Sequence, residues 1–151
     1  MSPGEIDPKV ISQRALWILQ MAEAIQDLHP EDKTLFLADR HKVAAAESYL
    51  RRALEALFDM GRHILAKKFA YPATEYKEIA KGLSEKKVLG LEEATLMRDM
   101  AGYRNRMVHF YREITPEELH EICLYHLGEI KLLSDKIVQW VKDHQDRLGN
   151  P

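Results

Sequence analysis

One cysteine in 151 residues excludes an internal disulfide, and Cys123 has no Cys or His neighbours at zinc-ligand spacing. The chain is therefore expected in a reducing cytoplasm, with Cys123 a small buried hydrophobe. Nowhere do about 18 apolar residues follow one another. The N-terminal MSPGEIDPKV also lacks a basic start followed by an apolar run, so neither export nor membrane insertion is expected. Sustained two-residue alternation is missing, as is any repeat of 20–50 residues, which argues against sheets and solenoids. The two isolated glycines Gly82 and Gly90 follow no strand and lack the G-x-x-x-x-G-K-[ST] spacing, so no phosphate loop is read from them. An excess of basic charge is missing too. With 22 Lys and Arg against 24 Asp and Glu the formal charge is −2, unlike a protein whose partner is nucleic acid throughout.

What is present is helical periodicity. Pro3 and Gly4 discourage regular structure, so residues 1–6 are expected as a loose arm. Asp7-Pro8 then gives a cap and a first-position proline, predicting a helix to about Leu28. Its seam is Ile11, Ala15, Ile18, Ala22 and Ile25. A second, long helix is predicted from about Thr34 to Phe69, with Gly61 admitting close approach of another helix. Arg51, Arg52, Lys67 and Lys68 on it read as a solvated basic face, and His63 as a surface or half-buried side chain. Thr74 to Lys81 predicts a short helix closed by Gly82. A fourth helix starts near Leu91. The last starts at Thr115-Pro116-Glu117-Glu118, a cap, a first-position proline and a capping-box glutamate. His126 falls on its apolar stripe and is expected as a satisfied core histidine. The predicted fold is all-α, an antiparallel bundle of four main helices plus one short helix, forming one domain over residues 1–151.

The stretch MRDMAGYRNRMVHFYR, residues 97–112, stands out. From Leu96 to Arg112 there are four Arg and one Asp, whereas Glu113 to Glu121 carries four Glu and no Lys or Arg. Positive charge concentrated in this way suits the grip of a single phosphodiester. RNA carries its own nucleophile, the 2′-hydroxyl. A base that removes its proton and an acid that protonates the departing 5′-oxygen suffice, with no metal required. Histidine titrates near neutrality and suits proton transfer, and a permanently charged guanidinium suits the negative charge on five-coordinate phosphorus. His109 is thus the acid/base candidate and Arg104 the electrostatic stabiliser. Asn105 and Arg106 are candidates for substrate binding. No metal site and no cofactor are expected. The same residues also admit a purely structural reading, in which Arg104 and His109 pair with Glu113 or complement a helix C-terminus.

Arg104, His109 and Tyr111, with Asn105 directly after the arginine, resemble the RX4HXY signature of HepT toxins in the HEPN class of ribonucleases. Residues 53–64, ALEALFDMGRHI, resemble the long second helix of that family, and the order of helices is similar along nearly the whole chain. The resemblance implies an endoribonuclease toxin, homodimeric and cytoplasmic, acting on tRNA. It also implies a partner antitoxin, an MntA-type minimal nucleotidyltransferase that silences the toxin by adenylylating Tyr111. The alternative is a non-catalytic helical partner or substrate-binding subunit of a nucleotidyltransferase.

Geometry poses a problem for the motif. At about 100° per residue, Arg104 and Tyr111 share a stripe, but His109 lies about 140° from Arg104. Two solutions are open: the helix distorts near its end, or two copies of the motif face each other across a symmetric dimer.

Overall fold

The computed structural model describes residues 4–109 and 114–148, with side chains to residue 144. Among the described residues there is no strand. Helix α1 spans Pro8–Gln26, and the Asp7 carboxylate accepts the Lys9 N–H at 2.9 Å as its cap. The arm is shorter than predicted at its inner end, because Ile6 is only 9 % exposed and joins the core.

The long second helix is in fact two. α2, Lys33–Ala38, and α3, Arg40–Phe69, are separated at Asp39, whose backbone is extended (φ −106°, ψ 101°). An aspartate is poorly placed inside a helix but an effective cap. Here its carboxylate accepts the N–H groups of His41 and Lys42. α3 ends at Ala70 in the left-handed region (φ 49°), where the Tyr71 N–H reaches back to the Leu65 carbonyl at 2.9 Å.

Helix α4 spans Tyr76–Glu85, so Gly82 lies inside it and does not close it. Its reason is contact: a Cβ on Gly82 would sit 2.9 Å from both Leu65 Cδ1 and Tyr71 Cε1. Gly61 plays the matching part in α3, where a Cβ would meet Ile79 Cγ2 at 2.8 Å and Leu83 Cδ1 at 2.9 Å. Two glycines thus let α3 and α4 approach closely.

α5 spans Leu91–Val108. After residues 110–113 come α6, Pro116–Glu121, a π-helical turn over Ile122–His126, and α7, Leu127–Leu148. His126 is not a core residue as predicted. It lies in the widened turn, 36 % exposed, with Nδ1 2.8 Å from the Glu129 carboxylate. The buried histidine of this segment is His120, packed on Phe36 with Nε2 2.7 Å from the Pro30 carbonyl oxygen. Cys123 is buried, which pushes its thiol up to about 12.

Contacts fix the helix directions. Asp7 meets His63 and Arg14 meets Asp59, so α1 and α3 are antiparallel. Gly61 faces Met97 while Glu55 pairs with Arg104, so α3 and α5 are antiparallel too. Phe36 against His120 and Phe69 against Trp140 set α7 alongside α3 in the same direction. The result is an up-down-up-down bundle of α1, α3, α5 and α7, with α3 fully buried at Leu50, Leu54, Leu57, Met60 and Ile64. No helix among the described residues is long and apolar enough to cross a membrane.

One anchoring contact is pH-sensitive. The Asp7 N–H donates to His63 Nε2 at 2.9 Å, which requires an unprotonated nitrogen. Burial, with Lys67 adding to it, holds the imidazole below its ordinary 6.5. The unfolded chain then takes up the proton first. The contribution is constant above about pH 6.5 and falls as pH drops below it. The urea midpoint is expected to drop between pH 7 and pH 5.5, and to drop less in His63→Gln, whose amide oxygen can accept the same N–H.

Candidate active site

Three of the predicted site residues converge. Arg104 and Asn105 lie near the C-terminal end of α5, and His109 is the residue that ends it, with extended backbone (φ −99°, ψ 103°). Leaving helical geometry at that point cancels the 140° offset of a straight helix. Arg104, Asn105 and His109 accordingly line one cavity of about 550 Å³, together with Arg62, Thr74, Glu75 and Tyr76. The first of the two solutions left open by the sequence, a helix that departs from its straight course near its end, is met within a single protomer.

Arg104 is held on two sides. Its Nε and Nη2 donate to Glu55 Oε2 at 3.4 and 3.2 Å, and its guanidinium lies over the Tyr76 ring at 4.4 Å from the centroid. Glu55 is itself anchored by Arg51, four residues earlier on α3, at 3.2 Å. Tyr76 stacks on Phe58 with centroids 4.6 Å apart and planes 9° from parallel. A planar cation over an aromatic face is stabilised by the ring quadrupole. Burial pushes the Tyr76 phenol above its ordinary range, against the opposing pull of Arg104. A second guanidinium, Arg62, lies 5.7 Å from the same ring and donates to the Thr74 carbonyl at 3.4 Å.

Glu55, Arg62 and Tyr76 were not singled out from the sequence. Glu55 had one local sign, its i,i+4 relation to Arg51. Tyr76 had none, because only the turn at residues 70–75 brings α4 back alongside α3 and places Tyr76 on Phe58.

Arg106 is not brought to this cleft. It lines a different cavity, about 230 Å³, with Lys77, Arg98 and Tyr103. Its two terminal nitrogens donate to the two oxygens of Glu118 at 2.6 Å each. These hydrogen bonds hold the Glu118 carboxyl below its usual range. The predicted capping box is consequently half formed. Thr115 Oγ1 accepts the Glu118 N–H at 3.2 Å, but the Glu118 carboxylate is turned to Arg106. The pair ties the end of α5 to the start of α6. With Arg106 40 % exposed, solvent screening limits its worth. Arg106→Ala is expected to lower stability by about 0.5–1 kcal/mol in urea unfolding. Tyr111 lies outside the described residues.

Comparison with known proteins adds the family. Several solved structures share the fold. A tri-AMPylated HEPN toxin from Shewanella oneidensis, solved in complex with MNT antitoxin, matches with a TM-score of 0.78 at 21% identity over 85% of this chain and 96% of that one. A toxin-antitoxin with AMP-PNP matches at 0.77 and 20% identity, covering 85% and 97%. YutE, a cytosolic protein of unknown function from Bacillus subtilis, matches at 0.76 and 16% identity, covering 92% and 93%. At such identities these likenesses concern the fold alone. Comparison with curated proteins found no match. The family model for HepT-like ribonuclease covers residues 18–137, most of the chain and the whole cleft described above, and on that ground the chain belongs to the HepT-like ribonuclease family.

Proposed function

We propose that the chain is a metal-independent endoribonuclease toxin acting on tRNA. The observation that supports this most is the end of α5 at Val108, which turns His109 into the cavity that Arg104 and Asn105 already line. In this reading the 2′-oxygen of RNA attacks the adjacent phosphorus, and the bond to the 5′-oxygen breaks. The 2′-proton goes to a base and the 5′-oxygen takes a proton from an acid, leaving a cyclic phosphate and a free 5′-hydroxyl. His109 serves one of these transfers. Arg104, fixed by Glu55 and Tyr76, stabilises the charge on phosphorus, and Asn105 orients the phosphate.

One imidazole per cleft fills one of the two proton roles. A homodimer that brings two motifs together supplies the other. Tyr111, two residues beyond His109 in the chain, is the proposed target of adenylylation by an MntA-type nucleotidyltransferase antitoxin. Added AMP would place negative charge and bulk where the RNA phosphate binds. ATP and magnesium belong to that partner's chemistry, and both proteins act in the cytoplasm.

The test is cleavage of tRNA by the purified protein with chelator present, beside His109→Ala. Cleavage by the first and not the second supports the reading, whereas no cleavage by either leaves a non-catalytic partner module. Intact mass after co-expression with the nucleotidyltransferase should rise by multiples of AMP. Peptide mapping that places them anywhere but Tyr111 would overturn the silencing scheme.

A further inference from the structure

A second cavity, about 330 Å³, lies between α1 and α3 and is lined in part by Gln13, Arg14, Trp17, Arg52, Glu55 and Asp59. It shares Glu55 with the cleft, since the carboxylate that lines this cavity is the one that holds Arg104. Trp17 is 39 % exposed on α1, although an indole of that size is normally well covered. Arg52 is exposed and has no carboxylate partner among the described residues. The two acids present are both engaged, Glu55 by Arg51 and Arg104, and Asp59 by Arg14 and Arg62. Two guanidiniums, Arg14 and Arg52, and two carboxylates thus line the cavity around one exposed aromatic, and with both carboxylates already engaged by other arginines the Arg52 charge is left for a ligand.

An indole beside an arginine that no carboxylate engages is the chemistry that holds single-stranded nucleic acid. The ring takes a base by stacking, and the cations take the flanking phosphates. An acidic or apolar protein segment would use one of these features and leave the other idle. We infer that this cavity is a nucleobase subsite, in which Trp17 stacks on an unpaired base of the RNA strand whose scissile phosphate lies against Arg104, and Arg52 holds a neighbouring phosphate. The inference rests on the ribonuclease reading above and extends it to substrate choice. Cleavage is directed to strands with an unpaired base at a fixed step from the cut.

The experiment measures binding apart from cleavage. A fluorescein-labelled 2′-O-methyl oligoribonucleotide lacks the nucleophile and cannot be cut, so its affinity for the full-length protein can be read by anisotropy. Trp17→Ala is expected to weaken binding about 5- to 100-fold. Trp17→Phe should stay within about threefold of the parent, and Leu16→Ala, on the exposed face of α1 outside the cavity, should not alter it. An abasic nucleotide at the stacked position should weaken binding to the parent protein and add nothing to the loss in Trp17→Ala. Unchanged affinity in Trp17→Ala would overturn the subsite even if tRNA is cleaved. So would a Trp17→Ala defect confined to association with another protein. Trp17-dependent binding without any tRNA cleavage would uphold the subsite and remove the catalytic reading. Absence of both binding and cleavage would end the two together.

Discussion

Alanine at His109 is expected to lower kcat for RNA cleavage by about 10²–10⁴-fold, the usual worth of a positioned general acid or base. Alanine at Arg104 is expected to lower it by about 10²–10³-fold, the worth of one preorganised electrostatic contact to a developing charge. The unfolding midpoint is measured beside the rate in both variants. Arg104→Ala removes the contact over Tyr76 and one of the two arginines on Glu55, so a modest loss of stability accompanies the loss of rate.

Arg104→Lys sharpens the test. It keeps the charge but not the planar fork, and an ammonium cannot lie flat on Tyr76 while donating along two directions to Glu55 or a phosphate. Activity is expected nearer to that of Arg104→Ala than to the parent. Initial rates on end-labelled tRNA at saturating substrate, with far-ultraviolet circular dichroism as the folding control, decide it. Full activity in either alanine variant would show that the cleft is not where the bond is broken.

Local chemistry was legible in the sequence where one residue type does one job. Asp7-Pro8 and Thr115-Pro116 start helices where their caps and prolines predict, and Gly61 marks a close approach of helices. Reading failed where two signals competed. At Asp39 the apolar stripe from Phe36 to Val43 argued for continuity, while the side chain had a stronger option as a cap. At Gly82 the residue type suggested a helix end, and the actual reason, the Leu65 and Tyr71 side chains against it, belongs to tertiary packing. Glu118 could complete a capping box or pair with Arg106, and the charged fork won.

The cleft divides in the same way. The spacing of Arg104 and His109 was visible, and so was the conflict between that spacing and a straight helix. The resolution depends on where α5 stops. The partners that fix Arg104 could not be read at all, because Glu55 is 49 residues away and Tyr76 sits on a helix whose position depends on the turn before it.

That dependence makes the core glycine of α3 a lever on the cleft. Gly61→Leu is expected to destabilise the fold by about 3 kcal/mol or more, at or above the upper end of ordinary overpacking. Even the first carbon of a side chain would meet Ile79 Cγ2 at 2.8 Å and Leu83 Cδ1 at 2.9 Å, with Met97 Cε at 3.4 Å behind them. Gly61→Ala should be milder, because a gain of about 1 kcal/mol in helix propensity offsets part of the crowding.

The effect should not stop at stability. Ile79 and Leu83 belong to α4, which also carries Tyr76, and moving α4 outward shifts the ring from between Phe58 and Arg104. Cleavage by Gly61→Ala should therefore fall even at temperatures where urea unfolding shows it fully folded. Ile79→Ala opens the space that the new methyl needs, so Gly61→Ala combined with Ile79→Ala should be more stable than the sum of the two single losses allows. Strict additivity in that cycle, or a Gly61→Leu protein as stable and active as the parent, would show that α4 is not seated on Gly61 and that the Tyr76 platform is held by other contacts.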